Sequence, residues 1–473
     1  MNAHPAHLTV AIVGAGPSGL FAAAELLGAL HDVHVVIYDR LPTPMGLVRY
    51  GIAPDHLRMK SIESKLRATL ADDRVSFVGN VELGSTISLQ ELASHHHATI
   101  LALGASAARK LAIPGATLRG HHSAGEIVSW YNGHPDAEPP QLGSSVVVAG
   151  AGNVALDVAR VLLRGADGLA RTDVPEQVLD ALERQPISRV DLVARRGPTH
   201  SRFSPTELLD LDELEGIRIE VDPRDLELTE EEQTTAASSR DVEANLTIFR
   251  RWADRGAEPS PGGRTLRFRF WTEPLEIGGQ EVEGVDRVCR LVARQVRHGR
   301  LDGQPTLVTL ETDAVVSAVG YAVSPAAGIG LGPGGGVEHE RGRLIVPSDQ
   351  PREPAAAGGP HDTSPIYATG WFKRGAQGAL GTNRKCARET IQTILADTQS
   401  GALLRDQARG GLAAVWALLA DRGVCPVTQQ GWEKIDAAEV ERGARRDRAR
   451  AKIATRGELL AIASEGLTSN EMA

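Results

Sequence analysis

The chain has 473 residues, 42% of them apolar and 23% charged, with 60 acidic against 51 basic side chains. That balance excludes a disordered or fibrous chain and argues against a whole-protein nucleic-acid binder. Its three cysteines, Cys289, Cys386 and Cys425, form no CxxC pair, which excludes a disulfide scaffold, a one-chain four-cysteine iron–sulfur or zinc site and a thioredoxin-reductase-like dithiol. At roughly 150 residues per domain the length fits two or three domains. Met1 to Leu8 lacks the basic and apolar regions of a signal peptide, and no apolar run reaches the roughly 18 residues of a spanning helix. A soluble, cytoplasmic enzyme is expected.

Leu8 to Val13 reads as a buried strand. It enters Gly14-Ala15-Gly16-Pro17-Ser18-Gly19 and then a helix-periodic stretch from Leu20. A GxGxxG between strand and helix sits in the context in which it binds a dinucleotide. Gly14 permits the tight turn, Gly16 the approach of a pyrophosphate, and Gly19 close helix–strand packing, while the helix N-terminus offers amide donors. His34 to Tyr38 reads as the next strand and ends at Asp39, whose carboxylate can accept from both hydroxyls of an adenosine ribose. Arg58 to Leu70 reads as a helix, Val75 to Val78 and Ala98 to Leu103 as strands. His95, His96 and His97 are too local to converge on one ion and read as solvated surface.

Ser145 to Ala149 opens a second unit. Gly150-Ala151-Gly152-Asn153-Val154-Ala155 follows, then a helix from Leu156 to Leu163, a polar insertion from Gly165 to Pro186, and a return strand from Arg189 to Ala194. This strand ends not in a carboxylate but in Arg195-Arg196. A carboxylate repels a 2′-phosphate, whereas guanidinium forks bind one through charge-assisted, often bidentate hydrogen bonds. The second unit therefore reads as a site for NADP(H) rather than NAD(H). Two dinucleotide units of unlike polarity point to one flavin and one nicotinamide coenzyme, hence to redox chemistry.

Glu220 to Ser260 is polar and reads as surface loop with a weakly packed helix. Leu266 to Trp271, Gly284 to Ala293 and Thr306 to Leu310 read as an antiparallel layer, and Asp313 to Val319 as a parallel strand. Gly328 to Gly336 and Pro351 to Ser364 read as loops and Ile366 to Thr369 as a short strand. Gly375 to Ser400 reads as a glycine-rich turn with a long helix. The tail from Leu412 reads as two or three small helices, with Arg445, Arg446, Arg448, Arg450 and Lys452 on a charged helix face. The expected fold class is α/β: two Rossmann-like dinucleotide-binding domains in the glutathione-reductase-like arrangement, the NADP domain inserted into the FAD domain. The expected boundaries are 1–105 and 326–473 for the FAD domain, with its C-terminal helices, and 106–325 for the NADP domain. No metal site is expected, since neither HExxH nor a P-loop occurs.

Four stretches, in order over nearly the whole chain, resemble the adrenodoxin-reductase-like ferredoxin–NADP reductases. They are Gly46-Leu-Val-Arg-Tyr-Gly-Ile-Ala-Pro-Asp-His56; Trp130-Tyr-Asn-Gly133; Gly152-Asn-Val-Ala-Leu-Asp-Val-Ala-Arg160 with Arg195-Arg-Gly-Pro198; and Gly370-Trp-Phe-Lys-Arg-Gly375 running into Gly381-Thr-Asn383. The resemblance implies that Gly14 to Gly19 hold the pyrophosphate of a non-covalent FAD and Asp39, where the family usually has Glu, its ribose. Gly46, Leu47 and Val48 are then placed along the flavin, and Trp371, Gly378, Ala379 and Leu380 at its ring. Gly150, Gly152, Asn153 and Val154 would serve the NADP(H) pyrophosphate, Arg195 and Arg196 its 2′-phosphate, and Glu207 lies near that site. His56 and Asp210 are the implied proton-handling pair. Loss of the family's proline after Gly375, where Ala376 stands, loosens one turn.

The implied reaction is electron transfer between NADPH and a small one-electron carrier, a ferredoxin, adrenodoxin-like protein or flavodoxin, with a cytochrome P450 as one final acceptor. A monomer or weak dimer without a membrane span or nucleic-acid partner is expected. Basic side chains of the inserted domain and around Lys373-Arg374 are expected to meet an acidic carrier. An NADPH-dependent flavin monooxygenase or another FAD/NADPH oxidoreductase is the alternative enzyme reading, and a flavin-free binding protein is the reading from a different class.

Overall fold

The computed structural model describes residues 7–105, 107–255, 263–296, 306–345, 364–403 and 409–465. The expected loop Pro351–Ser364 falls almost wholly outside them. Leu8–Val13 is the centre of an eight-stranded sheet. Its parallel heart runs Ile366–Ala368, Ala98–Leu101, Leu8–Val13, Val33–Tyr38, Val75–Gly79, with antiparallel additions at both edges. Both faces are covered by helices, which is why these strands are continuous apolar runs rather than alternating ones. The chain supplies this sheet from residues before 102 and again after 338. The six-stranded sheet comes from the stretch between: His121–Ser123, Ala314–Ser317, Ser145–Ala149, Arg189–Val193, Arg264–Arg269, Ile217–Val221, every neighbour parallel. The chain crosses between the units through one small antiparallel ladder, Ala107–Ala108 on Tyr321–Ala322.

Several expectations change. Arg264–Arg269 is a parallel strand of the second sheet, not part of an antiparallel layer. The antiparallel layer is Thr272–Val282, Val285–Gln295 and Thr306–Glu311. The helix Arg240–Arg255 within the acidic stretch is firmly packed: Phe249 and Trp252 are buried in a ring cluster with Phe268 and Phe270. The polar insertion is largely helical, with Asn153–Leu169 extending past a kink at Gly165 and Glu176–Arg184 following. His96 and His97 are buried, not solvated. His96 meets Tyr38 Oη at 3.3 Å, and the backbone N–H of Thr9 donates to His97 Nδ1 at 3.0 Å. Burial holds the His96 pKa down at about 4, so it is neutral.

The C-terminal basic run is not a helix face either. Its helix, Gln429–Ala444, ends before it. Arg448 and Lys452 are buried. Arg448 donates to the Val174 carbonyl at 2.9 Å and pairs with Glu176. Lys452 donates to the carbonyls of Arg49 at 2.8 Å and Asn132 at 3.2 Å and lies 3.3 Å from Asp173. Lys60 binds the same Asp173 at 2.6 Å. The run is an ionic clasp between the last helices and the 173–176 segment of the inserted unit.

Candidate active site

The first turn is a bare backbone cradle. Gly14 adopts φ +112°, and a Cβ there would stand 2.4 Å from the Ala102 carbonyl oxygen. Gly46, at φ +49°, brings the next segment onto this turn: its added Cβ would lie 2.9 Å from Gly16 Cα, and the Met45 N–H donates to the Ala15 carbonyl at 2.9 Å. Pro17 opens the helix Pro17–Ala29, where a missing N–H costs nothing. Ser18 is buried against Gly370, whose absent Cβ leaves room for its hydroxyl. Asp39 reaches back across the turn: one oxygen accepts from Ala15 N–H at 2.7 Å, the other from Leu41 N–H at 2.9 Å. Burial raises the Asp39 pKa, against the pull of those two amides.

Around this cradle Val48 is buried while Leu47 stays 39% exposed, an apolar side chain left open within an otherwise packed segment. Trp371 donates from Nε1 to the Gly378 carbonyl at 3.3 Å. Gly378 and Ala379 lead into the helix Leu380–Ser400, so the first N–H groups of a 21-residue helix point out beside the indole. Lys373, expected to present charge to a partner, is buried on Glu389 at 2.8 Å, and Arg374 is engaged by Asn383 at 2.6 Å.

The second turn is more open. Nothing lies within 4 Å of where a Gly152 Cβ would be, and Val154 is 37% exposed at the start of its helix. Gly150 packs on Ala318, leaving no room for a side chain. Arg195 and Arg196 are exposed where Arg189–Val193 ends, and neither side chain has a hydrogen-bond or ion-pair partner among the described residues. The following loop is fixed at both ends. Gly197 lies flat on the Trp271 ring, which a Cβ would penetrate, and Ser204 N–H donates to Asn153 Oδ1 at 2.9 Å. Asn153 is thus a tether for that loop. The bareness of both turns, their helix N-termini and the uncommitted arginines suit two dinucleotides of which one carries an extra phosphate.

Between the turns lies an ionic junction of which the sequence showed only part. His56 Nε2 donates to Asp157 Oδ1 at 3.0 Å and lies 2.8 Å from Glu207 Oε2, while Nδ1 is 4.0 Å from Asp210 Oδ2. Glu207, expected beside the coenzyme, is a direct partner of His56. Asp210, expected to be that partner, stands one helical turn further along Pro205–Asp212 with its side chain 39% exposed. Arg160 binds Asp55 at 2.8 Å and Asp157 at 2.7 Å, and Arg164 adds a second contact to Asp55 at 2.9 Å. Burial works against charge on His56, but its hydrogen bonds with Asp157 and Glu207 prevail over burial and over the nearby Arg160, raising its pKa to about 9. Burial likewise opposes the Asp55 carboxylate, yet Arg160 and Arg164 hold its pKa below the usual value. Asp157 and Arg160 sit three residues apart in the quoted Gly152–Arg160 stretch, a spacing that puts both on one helix face. That was the available signal.

Two parallel dinucleotide sheets, the second inserted into the first, with bare glycine turns facing one charged junction, define a pyridine-nucleotide oxidoreductase of the two-domain kind. Residues 8–197 match the family described as pyridine nucleotide-disulphide oxidoreductase. The chain is 37% identical to the mitochondrial NADPH:adrenodoxin oxidoreductase of Arabidopsis thaliana, across 98% of this chain and 96% of that protein. It is 38% identical to NADPH-ferredoxin reductase FprA of Mycobacterium tuberculosis, across 96% of this chain and 98% of that one. The solved structure of Mycobacterium tuberculosis FprA in complex with NADPH matches with a TM-score of 0.84 at 38% identity, covering 97% of this chain and all of that one. The chain belongs to the adrenodoxin reductase and FprA-type ferredoxin–NADP reductase family. No helix among the described residues is long and apolar enough to cross a membrane.

Proposed function

We propose that the chain is a ferredoxin–NADP+ oxidoreductase that moves electrons between NADPH and a small one-electron carrier. The observation that carries this reading is the junction in which His56 and Arg160 share the carboxylates of Asp157 and Glu207, which holds the segment beside the first turn against the helix of the second. Held at the first turn, FAD would supply a hydride acceptor able to release its two electrons singly. Residues 1–105 and 326–473 make up its domain, and 106–325 the NADPH domain.

Within that reading Gly14, Gly16 and Gly19 and the N-terminus of Pro17–Ala29 bind the FAD diphosphate, with Asp39 toward the ribose. Gly46 to Val48 and Trp371 line the ring, and the amides after Gly378 stabilise negative charge there. Gly150 to Val154 bind the coenzyme diphosphate and Arg195 and Arg196 its 2′-phosphate. His56 holds its proton on Nε2 between Asp157 and Glu207. Its Nδ1 faces Asp210, which leads to solvent, so a proton is exchanged on that side. No protein nucleophile takes part. The carrier is a ferredoxin-type protein or a flavodoxin, passing electrons to an acceptor such as a cytochrome P450, and the enzyme works in the cytoplasm as a monomer or weak dimer.

Two measurements test the proposal. Denaturation of the purified yellow protein is expected to release FAD, identified by chromatography. NADPH-driven cytochrome c reduction is expected to depend on added ferredoxin. Release of FMN, or NADPH oxidation in air that a carrier does not redirect, would support the monooxygenase or another flavoprotein instead.

A further inference from the structure

Arg202 lies six residues beyond Arg196. Its backbone N–H donates to the Ala151 carbonyl at 2.7 Å, and it forms a bridge with Gly152, so its Cα is held directly against the second glycine turn. Asn153 and Ser204 lock the same strip of loop two residues further on. The Arg202 side chain is exposed, with no hydrogen-bond or ion-pair partner among the described residues. The turn beside it is open, since Gly152 has nothing within 4 Å of an added Cβ, and it faces the N-terminus of the helix Asn153–Leu169. A fixed backbone with an uncommitted guanidinium at an open helix N-terminus is an arrangement for gripping a phosphate group. Arg195 and Arg196 stand instead at the end of the return strand, where the adenosine ribose of a bound coenzyme belongs.

We propose that Arg202 is a coenzyme-binding residue that grips the diphosphate, the part NADPH and NADH share, and so contributes affinity without choosing between them. The inference rests on the coenzyme reading of the second turn. It separates two jobs among three arginines: Arg195 and Arg196 discriminate, Arg202 anchors.

Calorimetric titration of the FAD-loaded full chain tests this with three probes. ADP-ribose carries the diphosphate without a 2′-phosphate, 2′-AMP carries the 2′-phosphate without a diphosphate, and NADP+ carries both. Arg202→Ala is expected to weaken ADP-ribose and NADP+ about tenfold, the scale of one charge-assisted hydrogen bond, and to leave 2′-AMP unchanged. Arg202→Lys, which keeps the charge, is expected to recover part of that loss. Arg195→Ala with Arg196→Ala is expected to show the converse pattern, weakening 2′-AMP and sparing ADP-ribose. Unaltered ADP-ribose binding by the Arg202→Ala protein would overturn the assignment. So would an equal loss of 2′-AMP, which would move Arg202 to the adenosine end. If the unsubstituted protein bound none of the probes, the coenzyme reading would fall, and that failure is reported by the parent rather than by the variant.

Discussion

His56 and Asp157, with Nε2 and Oδ1 3.0 Å apart, belong to different dinucleotide units. One follows the Gly46 segment at the first turn, and the other lies one turn into the helix that starts at the second. The contact couples the two glycine-turn units through a histidine held charged. It has a consequence in pH. The folded-state pKa of His56, about 9, lies above the ordinary 6.5, so its stabilisation is complete below about pH 6.5 and is lost as pH rises towards 9. The gap sets a ceiling of about 3 kcal/mol. The thermal midpoint of the FAD-loaded protein is expected to fall across that window, and His56→Gln to flatten the fall. An unchanged slope in the variant would remove His56 as its source.

On the proposed function, Arg195 and Arg196 set coenzyme choice. Replacing both by alanine is expected to raise the NADPH Michaelis constant by about 100-fold or more and leave that for NADH nearly constant, since two charged hydrogen bonds of about 1.5–3 kcal/mol each are lost. Steady-state kinetics with the two coenzymes decide it. Equal losses would assign the pair to folding or to the shared diphosphate.

Glu439 ties the C-terminal helices to the Gly46–Tyr50 segment. Its side chain is fully buried, binds Arg49 at 3.0 Å and Arg450 at 2.8 Å, and accepts the Ile453 N–H at 2.9 Å. Glu439→Ala strands the Arg49 guanidinium one residue after Val48. A loss of about 3–5 kcal/mol in denaturant unfolding is expected, with faster release of FAD on dilution. A variant as stable as the parent would show that Arg49 finds another partner.

Phe249 is fully buried among Phe203, Phe268 and Phe270. Phe249→Ala is expected to cost about 3–5 kcal/mol, measured by denaturant unfolding. A cost near zero would restore the view that this helix is loosely attached.

The strands and glycine turns were legible because buried parallel strands are unbroken apolar runs and because only glycine fits Gly14 and Gly46. The helix bearing Phe249 was not, since its apolar residues recur at helical spacing inside an acidic stretch that reads as surface. Arg264–Arg269 alternates apolar and charged residues, a pattern that does not tell a parallel from an antiparallel neighbour. Thr272–Val282 was missed because charges and two register shifts obscure its alternation. Of the site, the turns and arginines follow from local spacing. The contacts of His56 with Asp157 and Glu207, and the burial of Lys373 and Lys452, arise from residues far apart in the chain, which periodicity does not report.

On the proposed function, NADPH reduces a bound flavin, which then reduces a ferredoxin-type carrier. Sequential rapid mixing under anaerobic conditions tests it most directly: the FAD-loaded protein with excess NADPH, then the reduced protein with an oxidised ferredoxin, at low and high salt. Flavin bleaching is expected at a limiting rate nearly independent of salt. Stoichiometric ferredoxin reduction is then expected, with a second-order rate that falls as the screening length shrinks from about 10 Å at 0.1 M to about 3 Å at 1 M. A flavin that bleaches with NADPH but delivers no electrons to the ferredoxin at either salt concentration would contradict it.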